Sequence, residues 1–246
     1  AYARALVNAN QFSEARAEFG RLTRDFPRNA EVSFAAGLLS LQMGDLGAAR
    51  DLLTQALEYD PRDPDTVYYY LGQVAEQMKE PEVAAAHYAE VKTGNYLVSA
   101  RARQAALLAR AGKLDEARAL LAATRGENES QNVRLIQAQA ELLRESKVAT
   151  AAFEVLSEGL KRYPDSADLL YDRAMAAEKL DKLEVVEADL RRVIALRPDD
   201  AQAYNALGYT LADRTKRLAE ALTLLDKALS LAPEDPFILA SVGWAQ

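Results

Sequence analysis

One spacing pattern, repeated about every 34 residues, constrains the fold of this chain more than any other feature. The pattern is complete between residues 30 and 63, where three small residues and a proline stand at positions eight, twenty, twenty-seven and thirty-two: Gly37, Ala49, Ala56 and Pro61. The first two small residues predict two helices of one repeat that cross closely, and the third predicts contact with the next repeat. Proline ends the second helix, because it lacks a backbone N–H donor and clashes with the preceding turn.

This pattern and its period resemble those of the tetratricopeptide repeat (TPR) along the whole chain. The resemblance implies an all-α fold, a right-handed TPR superhelix (an α-solenoid) of antiparallel helix pairs. We expect a single TPR array over residues 1–246, with six near-complete repeats and partial repeats at both ends. The repeats are expected at about residues 1–29, 30–63, 65–97, 98–132, 133–166, 167–200, 201–235 and 236–246. Fourteen helices are expected up to Ala232, followed by a frayed fifteenth.

Three segments interrupt the regular pattern. Residues 92–95 supply a glycine-based helix stop where other repeats have proline. Residues 125–130 are polar, and we expect them to form a loop with no core-facing side chain. One inserted residue near 215–217 is expected to lengthen the turn inside its repeat.

Both ends of the chain fall inside repeats. Ala1 lies at the sixth position of a repeat and Gln246 lies in the middle of a first helix. We therefore expect this chain to be a fragment of a longer protein. Phe237, Val242 and Trp244 are expected to lack a covering helix, so the last helix is expected to pack against a neighbouring molecule or to be partly disordered.

The charge and the scarcity of reactive side chains narrow the classes of function. The net charge is −7 and the isoelectric point is near 5.0, so nucleic acid is not an expected partner. Cysteine is absent and His87 is the only histidine, which excludes thiolate and multi-histidine metal sites and disfavours a Ser-His-Asp triad. His87 lies in the second helix of its repeat, where a packing or rim role is predicted. No run of about 18 apolar residues predicts a transmembrane segment in this fragment.

The acidic segment 60–65 is the strongest candidate for a metal loop. It contains two prolines but neither the glycine nor the closing glutamate of a calcium-binding loop. The prolines are better explained as a helix stop and a helix start, with Asp63 or Asp65 as the N-cap. Asp199-Asp200 and Glu234-Asp235 stand at the same repeat position and receive the same interpretation. The sequence therefore predicts no metal site, no cofactor and no enzyme activity.

What remains is a surface for binding other proteins. In TPR arrays the side chains at positions two, five, nine, twelve and thirteen of the first helix face the concave groove, a mapping that the resemblance implies. The predicted protein-binding residues are Phe34, Leu38, Leu41, Tyr69, Gln73, Glu76, Arg134, Gln137, Tyr171, Met175, Asn205 and Tyr209. The same mapping adds Gln77, Glu141, Arg144, Glu178, Lys179 and Asp213. Tyrosine beside amides and mixed charge is typical of protein- and peptide-binding surfaces. The alternative is that Phe34 and Leu38 only pack between neighbouring first helices.

One class of peptide ligand is disfavoured. TPR domains that capture the carboxyl terminus of heat-shock chaperones carry a lysine at position five of one repeat. This chain has no lysine at that position, which is occupied by Phe34, Tyr69, Ala102, Gln137, Tyr171 and Asn205.

A narrower resemblance lies in the later repeats and the irregular centre. Residues 171–180, 187–192, 204–215 and 235–244, together with 91–96, are similar to the LbcA-like family of proteobacterial TPR lipoproteins. That resemblance implies an adaptor that presents cell-wall hydrolase substrates to a carboxyl-terminal processing protease. It also implies attachment to the periplasmic face of the outer membrane through an N-terminal lipid anchor outside this fragment.

Two other functions and one other location stay open on the sequence alone. The chain is alternatively an assembly factor for pili, secretion or outer-membrane export. It is alternatively the repeat region of an enzyme whose catalytic domain lies outside this fragment. A cytoplasmic location is the alternative to the periplasm.

Overall fold

The computed structural model describes residues 2–245, and Ala1 and Gln246, with the register positions predicted for them, lie outside the described residues. The described part of the chain is all-helical, which confirms the predicted fold class and the predicted number of helices. The fifteen helices are α1 (Tyr2–Asn8), α2 (Phe12–Asp25), α3 (Ala30–Gln42), α4 (Leu46–Glu58), α5 (Pro64–Gln77), α6 (Pro81–Glu90), α7 (Leu97–Arg110), α8 (Leu114–Ala123), α9 (Glu129–Glu145), α10 (Ala149–Arg162), α11 (Ala167–Lys179), α12 (Leu183–Leu196), α13 (Ala201–Arg214), α14 (Leu218–Leu231) and α15 (Pro236–Ala245).

The chain divides into two compact units, Ala1–Asn128 and Glu129–Gln246. Unit 1 contains α1 to α8, and unit 2 contains α9 to α15. Within each unit, consecutive helices pack against each other in chain order, and short turns join the two antiparallel helices of each repeat. This is the local arrangement expected of a TPR solenoid. A single continuous array through both units stays a prediction.

Small residues set the close approach of paired helices. Gly37 of α3 faces Leu53 of α4, and a Cβ at Gly37 would lie 2.8 Å from the Leu53 Cγ. Ala49 and Ala56, at positions twenty and twenty-seven, are fully buried. Ala56 belongs to the same core cluster as Val67 of the next repeat. The spacing pattern of the sequence is therefore a packing pattern.

A left-handed residue ends the first helix of six successive repeats. It stands at the fifteenth repeat position each time, with a φ between 58° and 80°: Asn10, Gly44, Lys79, Gly112, Lys147 and Asp181. After α9, for example, the Val148 N–H donates to the Leu143 carbonyl at 2.9 Å, the longer bond of a Schellman motif. Glycine adopts this conformation freely, and asparagine and aspartate adopt it more readily than other side chains. For lysine the steric strain costs about 1 kcal/mol or more.

Side-chain caps begin several first helices, as the sequence predicts for the acidic repeat boundaries. Asp63 caps α5 and accepts a hydrogen bond from the Thr66 N–H at 3.1 Å. Asp200 caps α13 and accepts from the Ala203 N–H at 3.0 Å. Within residues 2–245, no group of three or more His, Asp or Glu side chains is placed to hold a metal ion. The same residues contain no helix that is long and apolar enough to cross a membrane.

Three boundary predictions need correction. Helix α9 begins at Glu129, inside the predicted loop, because Gln131 is buried and anchors an additional turn before Val133. Helix α6 ends at Glu90, four residues before Gly94, so the left-handed Gly94 shapes the following turn instead of stopping the helix. Helix α15 is regular over its ten residues, and its Val242 is buried in a core cluster with Leu225 and Ala228 of α14. Phe237 and Trp244 are exposed, as predicted, at 75% and 54%.

Candidate functional site

A cleft of about 850 Å³ opens between α9, α10 and α11 in unit 2. We call it the unit 2 cleft. Small and apolar side chains form much of its lining, and polar side chains from the first helices border it. The lining residues are Gln137, Ala140, Glu141, Arg144, Lys147, Ala149, Ala152, Leu156, Asp172, Met175, Ala176, Glu178 and Lys179. Its volume and mixed lining are those of a typical ligand-binding cleft.

The repeat pattern itself produces the shallow apolar floor. Ala140 and Ala152 stand at positions eight and twenty, where paired helices require small residues. Their side chains end at Cβ, so α9 and α10 pack closely and leave space above them. Met175 of α11 reaches the cleft from the neighbouring repeat, and its flexible thioether can adapt to different apolar groups.

Most charges around the unit 2 cleft are already paired. Arg144 and Glu141 form an ion pair at 2.5 Å, and Lys179 lies 3.6 Å from Glu178. Lys147 is exposed and takes part in no ion pair among the described residues. Within residues 2–245, Lys147 is therefore the one cation of this lining that has no carboxylate partner.

A carboxylate–amide pair lies on the same lining. The Gln137 Nε2 donates to the Asp172 Oδ2 at 2.7 Å. Burial raises the pKa of Asp172 above the ordinary aspartate value, and the charges of Asp168 and Glu141 act in the same direction. The hydrogen bond from Gln137 opposes that shift but does not reverse it. This pair can therefore accept or donate hydrogen bonds to a bound segment.

The structure brings together only part of the predicted site in unit 2. Gln137 and Met175 line the unit 2 cleft, as do Glu141, Arg144, Glu178 and Lys179 of the wider mapping. Tyr171 lies beside Gln137 on an adjoining smaller cavity of about 240 Å³. Arg134 is exposed and belongs to neither lining. Binding at these residues stays a prediction.

The two predicted residues of α13 lie elsewhere in unit 2. Tyr209 packs against Trp244 of α15, with ring centroids 5.2 Å apart, so part of its surface is covered by this chain itself. Asn205 is half-buried, and its buried Oδ1 has no hydrogen-bond partner among the described residues. Neither residue lines the unit 2 cleft.

Tyr69 is not the exposed contact residue that the groove mapping predicts. It is 7% exposed and stacks on Tyr96, with ring centroids 4.3 Å apart, and it also contacts Tyr70 and Tyr88. Tyr70 and Tyr96 join their hydroxyls in a hydrogen bond of 3.0 Å. This tyrosine cluster fills the irregular junction after α6, so Tyr69 is a core residue. The prediction for His87 is confirmed: it is half-buried and packs beside Tyr68.

Phe34, Leu38 and Leu41 are likewise less open than predicted. All three are half-buried against the core cluster that contains Leu53, Val67 and Leu71. Phe34 also makes an edge-on contact with Tyr70, with ring centroids 5.9 Å apart. Such packing agrees with the alternative stated for Phe34 and Leu38, and binding at the three residues stays a prediction.

Unit 1 contains a second cleft, of about 700 Å³, between α5, α6 and α7. We call it the unit 1 cleft. Its lining residues are Glu76, Lys79, Pro81, Glu82, Ala85, Leu107, Leu108, Arg110, Ala111 and Lys113. The predicted residue Glu76 is engaged there, because it accepts hydrogen bonds from the Tyr88 hydroxyl at 2.5 Å and from Arg103 at 2.7 Å. Gln73 is half-buried on the same helix but does not line this cleft.

Several lining residues were missed because the groove mapping considers first helices only. Ala149 and Leu156 come from the second helix α10, and Pro81 and Ala85 come from the second helix α6. Lys79 and Lys147 stand in the turns between paired helices. A lysine at a position where other repeats have glycine, asparagine or aspartate is the signal in the sequence that could have identified them.

Comparison with known proteins defines the class of the chain. The family model described as tetratricopeptide repeat matches residues 1–64, 34–96 and 171–236, which together span more than half of the sequence. The chain belongs to the tetratricopeptide repeat family. Members of this class are in general non-catalytic scaffolds for protein–protein interaction, whose stacked repeats provide extended binding surfaces.

Two curated relatives are similar over most of this chain. The TPR repeat-containing protein PA4667 of Pseudomonas aeruginosa is 45% identical over 180 residues, or 73% of this chain. Cellulose synthase 2 operon protein C of Komagataeibacter xylinus is 29% identical over 221 residues, or 82% of this chain. The matched regions cover only 30% and 16% of those two proteins, so the chain corresponds to a part of each.

Solved structures share the fold at low sequence identity. The C-terminal part of a TPR repeat-containing protein from Cytophaga hutchinsonii has a TM-score of 0.60 and 13% identity, with 98% of each chain covered. A tetratricopeptide repeat protein from Parabacteroides merdae has a TM-score of 0.53 and 16% identity, covering 99% of this chain and 96% of its own. At such identities the likeness concerns the fold alone.

Proposed function

We propose that this chain is the binding region of a non-catalytic adaptor and that the unit 2 cleft holds a segment of a partner protein. The observation that carries this proposal is the convergence of three helices on one cleft with an apolar floor and a polar border. Six of its lining residues stand at the repeat positions from which TPR proteins bind partners: Gln137, Glu141, Arg144, Met175, Glu178 and Lys179.

The lining suits a short segment with at least one apolar side chain. Met175 and Ala176, which are partly exposed, offer apolar contact area, while the Gln137–Asp172 pair offers hydrogen bonds to a peptide backbone. A cleft of this size buries only a few side chains, so one cleft alone supports modest affinity. An adaptor gains from such affinity, because it must also release its cargo.

The finer proposal is an envelope adaptor at the periplasmic face of the outer membrane. It would hold a carboxyl-terminal processing protease and its cell-wall hydrolase substrates together, and so raise the local concentration of substrate at the protease. The resemblance to the LbcA-like lipoproteins supports this role. The 45% identity to a TPR protein of Pseudomonas aeruginosa is consistent with a family found in proteobacteria.

The proposal is tested with the full-length protein that contains this chain, the purified protease and a purified cell-wall hydrolase from the same organism. The rate of hydrolase cleavage is measured with and without the adaptor. Met175→Glu places a charge on the apolar floor and is expected to lower the adaptor-dependent rate severalfold. Met43→Glu is the matched control, because Met43 is exposed and lines neither cleft.

Two results would count against the proposal. If the adaptor does not change the cleavage rate and retains neither protein in a pull-down, the protease-adaptor role is wrong. If Met175→Glu and Met43→Glu behave alike while both stay folded by circular dichroism, the unit 2 cleft is not the binding site.

A role in assembly of an export or secretion system is the second candidate. The observation that favours it is the similarity to cellulose synthase 2 operon protein C over 82% of this chain. Site-specific crosslinking in cells distinguishes the two roles. Because the chain has no cysteine, a single cysteine introduced at Val148, which is exposed between the lining residues Lys147 and Ala149, can carry the crosslinker. Mass spectrometry then identifies either a protease complex or export components.

A further inference from the structure

Two lysines occupy a backbone conformation that suits other residues better. Lys79 and Lys147 end α5 and α9 with φ values of 63° and 61°. At the same repeat position, Gly44 and Gly112 adopt this conformation without strain, and Asn10 and Asp181 belong to the residue types that tolerate it. Lysine crowds its own backbone there, so local stability does not account for its presence. Strained backbone positions are often associated with function.

Both lysines border a cleft. Lys147 lines the unit 2 cleft and Lys79 lines the unit 1 cleft. Each follows the first helix of its repeat at the same register, so each unit presents a lysine at the equivalent edge of its own cleft. Among residues 2–245 neither lysine takes part in an ion pair.

At each cleft edge the lysine lacks a carboxylate partner, so its positive charge is available to an anion. In the unit 2 cleft, Arg144 and Lys179 are paired with carboxylates, and Lys147 is the uncompensated cation. The other unpaired group of this lining is Asp172, which accepts a hydrogen bond from Gln137, so the lining has no net charge and Lys147 supplies a local positive charge at the turn.

The unit 1 cleft has a net positive charge as well as an unpaired lysine. Lys79 and Arg110 have no ion-pair partner within the described residues, and Glu82 is the only unpaired carboxylate of the lining. Lys113 pairs with Glu116, and Glu76 pairs with Arg103. One net positive charge therefore remains beside an apolar surface formed by Leu107 and Leu108.

We propose that each cleft binds an acidic segment of a partner protein, in which a carboxylate lies against Lys79 or Lys147 and a neighbouring apolar side chain enters the cleft. This inference rests on the proposed function and specifies the chemistry of the segment that is bound. A charge-assisted hydrogen bond from lysine to a carboxylate at the edge of an apolar site gives both affinity and orientation.

The ligand for the test is selected from random peptides. A random-heptamer phage library is panned against the full chain, and the best peptide is synthesised with each acidic residue intact or replaced by its amide. The Kd of each peptide is measured by fluorescence polarisation for the wild-type chain and for Lys79→Gly, Lys147→Gly and Lys147→Arg. Asn10→Gly is the matched control, since Asn10 has the same backbone conformation and lines neither cleft.

The inference predicts opposite effects on binding and stability. At the cleft that the peptide occupies, the substitution of lysine by glycine is expected to raise the Kd of the acidic peptide about tenfold. The same substitution is expected to raise the thermal midpoint by about 1–3 °C, because it relieves the backbone strain. Lys147→Arg is expected to retain binding. Asn10→Gly is expected to leave the Kd unchanged.

Different failures have different meanings. If peptides are enriched but bind equally well as acid and amide forms, or if neither lysine variant changes the Kd, this inference is overturned while the clefts remain binding sites. If either glycine variant lowers the thermal midpoint, the strain argument is wrong. If no peptide is enriched, the proposed function and this inference both fail.

Discussion

Gly37 of α3 and Leu53 of α4 pack so closely that a Cβ at Gly37 would lie 2.8 Å from the Leu53 Cγ. Leu53 is fully buried and cannot move away without opening the core. We therefore expect Gly37→Ala to lower the free energy of unfolding by about 1–3 kcal/mol, as overpacking does in other cores. Urea denaturation followed by circular dichroism measures the change.

Gly20→Ala is the matched control for that substitution. Gly20 lies within α2, and nothing is within 4 Å of the Cβ that alanine would add. Alanine is a better helix former than glycine, so this variant is expected to gain about 0.5–1 kcal/mol. Equal effects of the two variants would show that close packing does not decide the choice of glycine at position eight.

A buried ion pair joins the two helices of the sixth repeat. Arg173 of α11 makes two hydrogen bonds to Asp189 of α12, at 2.8 and 2.7 Å, and the Asp189 side chain is only 4% exposed. Arg173→Met leaves a buried carboxylate without its partner and is expected to cost about 3 kcal/mol. The double variant Arg173→Met, Asp189→Leu is expected to recover most of that loss. A loss below about 1 kcal/mol for Arg173→Met would contradict this account.

Asp172 makes the stability of unit 2 sensitive to pH. Its pKa is raised, mainly by burial. Between the ordinary aspartate pKa and this raised value, the folded state therefore holds a proton that the unfolded state has released. Stability is therefore greatest below the ordinary aspartate pKa and decreases as the pH rises through the raised value. Asp172→Asn is expected to remove this decrease and to stabilise the chain at pH 7 but not at pH 3. Thermal unfolding across that pH range measures the difference, and a pH-independent effect would argue against it.

Glu187 has the opposite pH dependence. Hydrogen bonds from Arg217 and Arg191 lower the pKa of Glu187 to about 2. Its stabilising effect is therefore present above the ordinary glutamate pKa and is lost as the pH falls from that value towards 2. Because the two arginines are partly exposed, we expect Glu187→Gln to cost only about 1 kcal/mol at pH 7, and less in high salt.

Glu184→Gln is the control for Glu187→Gln. Glu184 lies on the same helix, is exposed and has no ion-pair partner among the described residues. Its substitution is expected to change the unfolding free energy by less than about 0.5 kcal/mol. A salt-independent loss in Glu187→Gln would indicate that packing, and not charge, stabilises the α12–α14 contact.

The candidate site was less predictable than the fold. Gln137 and Met175 were found from repeat position alone, because a regular repeat places the same position on the same face. Tyr69 was misplaced by the same rule, since an irregular junction turns Tyr88 and Tyr96 towards it. Repeat position describes an ideal unit and cannot account for neighbours that only an irregular segment provides.

The sequence by itself determined the repeat period and the number of helices. These follow from local rules, because small residues, prolines and capping aspartates act on the segments that contain them or on the next repeat. Tertiary structure alone decided which first-helix side chains stay accessible. Tyr69 is buried while Met175 remains on a cleft, since accessibility depends on side chains from separate helices. It also revealed the left-handed lysines at the cleft edges, because a φ angle is a property of the folded turn.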